Sequence, residues 1–240
     1  MRKASLAIAM LVACASVSIW SSCKFSCVHG SGKVITEQRK VTDFKKIEIS
    51  GGFKIHLKQD SSLAVAVTGD DNLLKYISTT VEGDKLLIKT KKSVCDGDSM
   101  VVSIGIHNLN EINASGAVEI SSDGKLVLGD LNMKLAGANR VNLDMNAANV
   151  VSEGSGVCDL NLKGQAASHR IESSGVAKVN AFDFVVGEYT LNTAGVSKCK
   201  INVLKTLNVH SKGAAEIEYK GSPSTVNNDK MGASKLTKVD

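Results

Sequence analysis

Aromatic side chains are scarce in this sequence of 240 residues, which holds three Tyr, five Phe and one Trp. Carbohydrate-binding surfaces commonly use aromatic rings as flat platforms, so the scarcity argues against a typical lectin. Tyr189 and Tyr219 are the only tyrosines in the repeated region described below. Phe182 and Phe184 could form a small ligand patch, although we favour a role in filling the interior of the fold.

Other absences exclude further classes of protein. No basic block with interleaved aromatic residues is present, so we expect no nucleic-acid partner. After the N-terminal segment no apolar stretch reaches 18 residues, which leaves a lipid anchor as the only route to a membrane. The sequence has no Cys-x-x-Cys pair, and its histidines are scattered without metal-ligand spacing. We therefore expect no metal site and no cofactor.

The N-terminus has the features of an export signal. Arg2 and Lys3 precede an apolar run that is too short to span a membrane, and small residues follow. This pattern is typical of a secretory signal peptide, which we place at residues 1–22. Cys23 is the favoured lipid-attachment site, although the residues just before Cys14 match a lipid-attachment motif better. The expectation is an exported cell-envelope protein, either an outer-membrane lipoprotein or a cell-surface protein, with simple cleavage after a small residue as the alternative.

The remaining cysteines divide into two pairs. Cys27 and Cys95 both lie outside the repeats, and export permits a disulfide between them, which we state as a hypothesis. Cys158 and Cys199 fall in different positions of repeats that are two apart, about 10 Å by strand stacking, which is too far for a bridge. We expect both to be buried as small hydrophobic side chains.

A glycine-centred repeat organises the second half of the chain. Seven similar segments follow one another at intervals of 18 to 21 residues, centred on Gly116, Gly137, Gly156, Gly175, Gly195, Gly213 and Gly232. The fourth residue after each glycine is always apolar, the third after it is always charged, and the third before it is always polar. This alternation is typical of half-buried strands, and a period near 20 predicts a solenoid with one coil per repeat and a tight corner at each glycine.

The region before the repeats is also rich in predicted strands, but it is irregular. Residues 70–77 predict a short helix, and residues 79–89 predict a hairpin that turns at Gly83 and Asp84. We divide the mature chain into an irregular β-rich part at 23–106, which covers the start of the solenoid, and the seven repeats at 107–240. We expect the two parts to form one continuous domain.

Several of these features together resemble a known bacterial family, the putative auto-transporter adhesin, head GIN domain. The resemblance rests on residues 47–57, the run at 72–77, the hairpin at 82–88, the repeated Ser-Gly-Ala and Ser-Gly-Val corners and the closing stretch at 213–221. It implies a right-handed parallel β-helix of pectin-lyase-like shape, a role in cell adhesion in Bacteroidetes, and no known catalytic site.

Three functions remain open at this point. The favoured one is a non-enzymatic surface adhesin or interaction scaffold that binds a protein or glycan partner, with its oligomeric state undetermined. The second is a structural or stress-related envelope protein without an external partner. The third is a carbohydrate-binding or polysaccharide-active protein, for which Glu153 and Glu172 in neighbouring repeats are the sharpest catalytic candidates. Polar rows in such folds are more often solvated faces, and His210 in the same row is expected to be a lone surface histidine.

The last repeat differs in character from the others. Pro223 is the only proline of the chain, Asn228 replaces an apolar residue, and Lys235 and Lys238 flank Leu236. Such residues discourage edge-to-edge pairing, and we expect this segment to cap the end of the repeats.

Overall fold

The computed structural model describes residues 27–60, 62–95 and 100–240. The predicted signal peptide, Cys14 and Cys23 lie outside these residues. The elements in chain order are β1 (Val34–Arg39), β2 (Lys46–Gln59), β3 (Val65–Asp70), α1 (Asp71–Leu74), β4 (Ile77–Glu82), β5 (Lys85–Thr90), β6 (Val101–Ile106), β7 (Glu111–Val127), β8 (Leu131–Lys220) and β9 (Thr225–Lys238). In the part of the chain described, no helix is long and apolar enough to cross a bilayer.

The strands form one mixed, open sheet in the order β1-β3-β6-β2-β7-β8-β9, with β5 paired to β2 and β4 paired to β5. The pairs β1–β3, β3–β6 and β4–β5 are antiparallel, whereas the pairs of β2 with β5, β6 and β7, and those of β8 with β7 and β9, are parallel. The all-β prediction is correct. The prediction of a right-handed parallel β-helix or solenoid of pectin-lyase-like shape is wrong, because the sheet combines both strand directions and does not close.

A short connection explains one of the three antiparallel pairs, β4–β5. Glu82 of β4 pairs with Lys85 of β5, so only Gly83 and Asp84 turn the chain, and Gly83 has a φ of +63°. A two-residue turn can join only antiparallel neighbours. The predicted hairpin is therefore confirmed, and so is the short helix, which is α1.

Parallel pairing dominates the rest of the sheet and keeps the glycines in register. Gly51 of β2 pairs with Gly116 of β7, Gly116 pairs with Gly137 of β8, and Gly213 of β8 pairs with Gly232 of β9. The eight stacked glycines, which are Gly51 and the seven predicted corners, have φ between +99° and +136°. We call these glycines the corner row.

The core lies on the side of the strands that carries the apolar rows. The residues four places after the corner glycines are buried from Ile120 to Ile217, at most 3% exposed, and only the last, Leu236, is half-buried. Burying a side chain of this size contributes roughly 1.5–3 kcal/mol. The residues three places after the glycines face solvent, where Arg140 lies 3.6 Å from Asp159 and Lys198 lies 3.0 Å from Glu216. Apolar and charged rows thus take the faces that their alternation predicts.

Candidate functional site

An open groove of about 790 Å³ runs along the stack beside the corner row. It is lined by the three positions that precede each corner glycine, from Glu48 and Ser50 in β2 to His210 and Lys212 in β8. The floor is made of small or apolar residues, among them Ala114, Leu135 and Gly154. The wall is formed by the polar residues three places before each glycine. We call this surface the corner groove.

Gly154 lies in the floor of the corner groove, in the middle of the stack. A Cβ atom at this position would lie 2.8 Å from Sγ of Cys158, whose side chain packs beneath it. The neighbouring segments carry Leu135 and Ser173 at the equivalent position. At Gly154 the sulfur of Cys158 therefore occupies the space that a side chain at this position would take.

Charged side chains of both signs line the groove, and some of them form hydrogen bonds or ion pairs with adjacent residues. Lys85 Nζ donates a hydrogen bond of 2.9 Å to Glu48 Oε2, and this contact raises the pKa of Lys85. His210 Nδ1 lies 3.6 Å from the carboxylate of Asp229. The groove therefore offers hydroxyl, amide and charged groups in repeated rows, without a single dominant sign.

Two polar atoms of the lining lack partners within the described residues. Ser173 Oγ and Asn113 Oδ1 are shielded from solvent, and neither has a hydrogen-bond partner there. Leaving such atoms unpaired costs free energy. Because both atoms are shielded, they are not themselves contact points for a ligand in the corner groove.

The two glutamates proposed as catalytic candidates both line the corner groove in adjacent segments. Arg170 Nε donates a hydrogen bond of 2.6 Å to Glu172 Oε1, so this carboxylate is the partner of a guanidinium. The contact with Arg170 engages this carboxylate within its own segment. His210 is exposed and lines the same groove two segments beyond Glu172.

A buried polar chain in the interior was not foreseen. His169 shares hydrogen bonds with Ser152 Oγ at 2.9 Å and with the Tyr189 hydroxyl at 3.1 Å. Burial lowers the pKa of His169 to about 3 and raises that of Tyr189 well above its usual value. Although a Ser–His contact is common in hydrolases, His169 is 1% exposed and Tyr189 is fully buried. These three side chains therefore satisfy one another's hydrogen bonds inside the core, where a substrate has no access.

The N-terminal cysteines are brought together. The structure joins Cys27 to Cys95 by a disulfide, and the Cys95 sulfur lies 3.3 Å from His29 Nε2. The ligand atoms of these three residues lie within 4.8 Å of one another, a cluster that sequence spacing did not indicate. Both sulfurs are used by the disulfide, so they are not available as thiolate ligands. As predicted, Cys158 and Cys199 are free and buried, and burial raises the pKa of both thiols.

The two phenylalanines are separated by the structure. Phe184 is fully buried, as predicted for both, whereas Phe182 is half-buried. Lys220 Nζ lies 5.0 Å and Lys200 Nζ 5.7 Å from the centre of the Phe182 ring. This contact covers the ring with two cations at the margin of a cleft of about 200 Å³.

Known proteins share this architecture. The chain matches the family described as "Putative auto-transporter adhesin, head GIN domain" over residues 43–223. A putative adhesin from Bacteroides fragilis NCTC 9343 is 24% identical, with a TM-score of 0.82 over 88% of this chain and 100% of that one. A putative lipid binding protein from Parabacteroides distasonis ATCC 8503 is 21% identical, with a TM-score of 0.60 over 90% and 100%.

A putative adhesin from Parabacteroides merdae ATCC 43184 is 22% identical, with a TM-score of 0.57 over 89% of this chain and 99% of that one. At sequence identities below 25%, the similarity between this chain and these three structures concerns the fold alone. No curated protein matches the chain.

Proposed function

We propose, from the premise that this chain belongs to the putative auto-transporter adhesin, head GIN domain family, that it is a non-enzymatic, adhesin-like protein of the cell envelope. The similar structures from Bacteroides fragilis and Parabacteroides merdae are described as putative adhesins, which agrees with this role. The observation that carries the proposal is the corner groove, a continuous groove crossed by seven stacked segments.

The dimensions of the corner groove favour an extended glycan that lies along the stack. Successive segments are spaced about 4.8 Å apart, as hydrogen-bonded strands are. A peptide strand advances only ~3.3 Å per residue and would soon fall out of step with these rows. Sugar rings in an extended chain are more widely spaced, so one ring can face each row.

The lining suits hydrogen bonding to sugar hydroxyls. Ser155 and Ser174 are exposed lining residues with hydroxyl groups, and half-buried Asn192 adds an amide in the next segment. Because the lining contains no Phe, Tyr or Trp, we expect weak binding at each groove, with adhesion supplied by many copies on one cell.

A matched pair of bulky substitutions tests this role. Ser174→Trp places an indole in the corner groove, whereas Lys178→Trp places it on the exposed charged row of the same segment. We expect the first variant to lose glycan-array binding and adhesion of coated beads to cells, while the second behaves as the unmodified protein. Both variants should keep the same melting temperature. Equal adhesion by the two folded variants would contradict the role of the groove.

We also propose that the protein is held at the membrane by a lipid on Cys23, since a signal peptide of ordinary length ends just before this residue. Cells labelled with palmitate should incorporate the label, and Cys23→Ala should abolish incorporation and release the protein from the membrane fraction. Label that persists in Cys23→Ala but is lost in Cys14→Ala would assign the anchor to Cys14 instead.

A further inference from the structure

The last strand leaves one side of the stack open. β9 pairs with β8 at every position from Thr225 to Lys238, a continuous parallel ladder of 14 residues. It stands at the end of the sheet order, and no other described strand pairs with it. Its second edge therefore presents a row of backbone donors and acceptors, which is a template for another strand.

The bend in β9 restricts which strand can be added. Gly232 is the corner of β9, with a φ of +129°, so the edge is bent rather than straight. A partner strand must bend at the same place to follow it. A second copy of β9 meets this condition, provided that the two Gly232 residues lie opposite each other.

Two copies can meet this condition in an antiparallel arrangement about a two-fold axis through the corner. Residues at equal distances before and after Gly232 then face each other. Asp229 is three residues before the glycine and Lys235 is three residues after it, and both lie on the solvent-facing side. Each therefore faces its opposite charge in the other copy, and the symmetry produces this pair twice.

We propose that two copies of this protein associate end to end through β9, paired antiparallel about Gly232, with two reciprocal Asp229–Lys235 ion pairs. The charges select this arrangement. In a parallel pairing with the glycines aligned, Asp229 would face Asp229 and Lys235 would face Lys235, which is unfavourable. In the antiparallel arrangement, a slip of two residues would place Asp229 opposite Thr237 or Ala233, and both ion pairs would be lost.

The charged residues of β9 thus discourage pairing with most strands but permit pairing with a second copy of β9. The Asp229 side chain is 75% exposed although His210 lies 3.6 Å away, so it is accessible to a second copy. The resulting dimer would carry two corner grooves, one on each copy. The dimer does not depend on what the groove binds, but it would make an adhesin of this kind bivalent.

Charge reversal tests the proposal on the purified full chain. Sedimentation velocity over a hundredfold range of protein concentration should show a monomer–dimer equilibrium. Asp229→Lys alone and Lys235→Asp alone should each raise the dissociation constant about tenfold or more, because each introduces two like-charge contacts. The double variant restores opposite charges and should return to within about threefold of the unmodified protein.

Lys178→Glu is the control, because Lys178 occupies the same solvent-facing row in the middle of the stack. It should leave the dissociation constant unchanged. A protein that stays monomeric throughout the range would overturn the proposal. So would a double variant no better than the single ones, or growth beyond dimers into open chains, which would indicate head-to-tail contact instead. Circular dichroism of each variant verifies that its fold is retained.

Discussion

Alanine in place of Gly156 should destabilise the protein severely, because two separate costs coincide at this corner. The residue has a φ of +99°, which side chains with a Cβ atom rarely adopt. A Cβ atom would also lie 2.4 Å from the carbonyl oxygen of Gly137 and 3.2 Å from its carbonyl carbon. Both neighbouring atoms belong to the backbone, so no side-chain rotation can relieve the contact.

The magnitude follows from adding these costs. Backbone strain of this kind costs about 1–3 kcal/mol, and overpacking against a rigid neighbour costs a further 1–3 kcal/mol. We expect Gly156→Ala to lower the free energy of unfolding by about 3 kcal/mol or more. The free energy of unfolding of a native protein is typically roughly 5–15 kcal/mol, so the expected loss is a large fraction of the total.

Substitutions at two other glycines allow the cost of backbone strain to be measured apart from the cost of the steric contact. Gly83 has a φ of +63° but would place its Cβ atom in open space, so Gly83→Ala should cost only about 1–2 kcal/mol. Gly129 has neither the unusual φ nor a neighbour within 4 Å. Its replacement by alanine should be neutral, or stabilising by up to about 1 kcal/mol through the unfolded chain.

Equilibrium unfolding in urea, followed by far-ultraviolet circular dichroism, measures all three variants. We expect the midpoints to fall in the order Gly129→Ala, Gly83→Ala, Gly156→Ala with similar slopes. If Gly156→Ala costs no more than Gly83→Ala, the close approach of Gly156 to Gly137 does not exist. The in-register stacking of the corner row would then be refuted.

Three further predictions concern the core, the buried histidine and the disulfide. Val179 is 1% exposed, so Val179→Asp should cost about 3 kcal/mol or more, whereas Lys178→Ala on the solvent face should cost less than ~1 kcal/mol; equal urea midpoints would mean that the faces are wrongly assigned. The pKa of His169 is lowered from 6.5 to about 3, so the unfolded chain takes up the extra proton and the free energy of unfolding should fall as the pH drops from about 6.5 towards 3. A His169→Gln variant should lose this part of the pH profile, and an unchanged profile would contradict the burial. The disulfide between Cys27 and Cys95 spans a sequence separation of 68, so its reduction by a dithiol should lower the free energy of unfolding by up to about 4 kcal/mol, and identical midpoints with and without the dithiol would refute this.

The strand pattern of the repeats could be read from the sequence because it is local. A charged residue at position 178 and an apolar residue at 179 take opposite faces in any strand, whatever lies next to them. The glycine at each corner is equally local, since the bend requires φ values that other residues avoid. Repetition then makes the pattern visible, as the same alternation recurs from Ile120 to Ile217.

The architecture as a whole could not be read in this way, because strand pairing is not local. The residues of β3 show only that a short apolar strand exists. Nothing within them indicates that β3 lies antiparallel between β1, which precedes it, and β6, which follows about thirty residues later. The repeat predicted parallel stacking correctly for its own region, but extending it to the whole chain produced the wrong fold class.

The buried chain of Ser152, His169 and Tyr189 was missed for a related reason. Their separations of 17 and 20 residues are close to the repeat length, which is the one signal that could have grouped them. However, His169 and Tyr189 each lie six residues before a corner glycine and share one column of the alignment, whereas Ser152 lies four residues before its own, so no single column contains all three. Side chains from different columns meet only because they point into the same interior.

The same repeat that builds the core also explains the position of the proposed binding surface. The apolar row four places after each glycine is nearly uniform, because every segment must fill the same interior. The row three places before each glycine must only be polar, so its charge and shape are free to differ from segment to segment. These side chains nevertheless lie in a groove, and five of them are half-buried: Glu48, Asn113, Glu153, Glu172 and Asn192. A solvated face would not need such burial, and a core would not tolerate such variety. A half-buried row of varied polar groups suits a binding surface, which is why the proposed site of ligand recognition is the corner groove rather than the exposed charged row on the other side of the glycines.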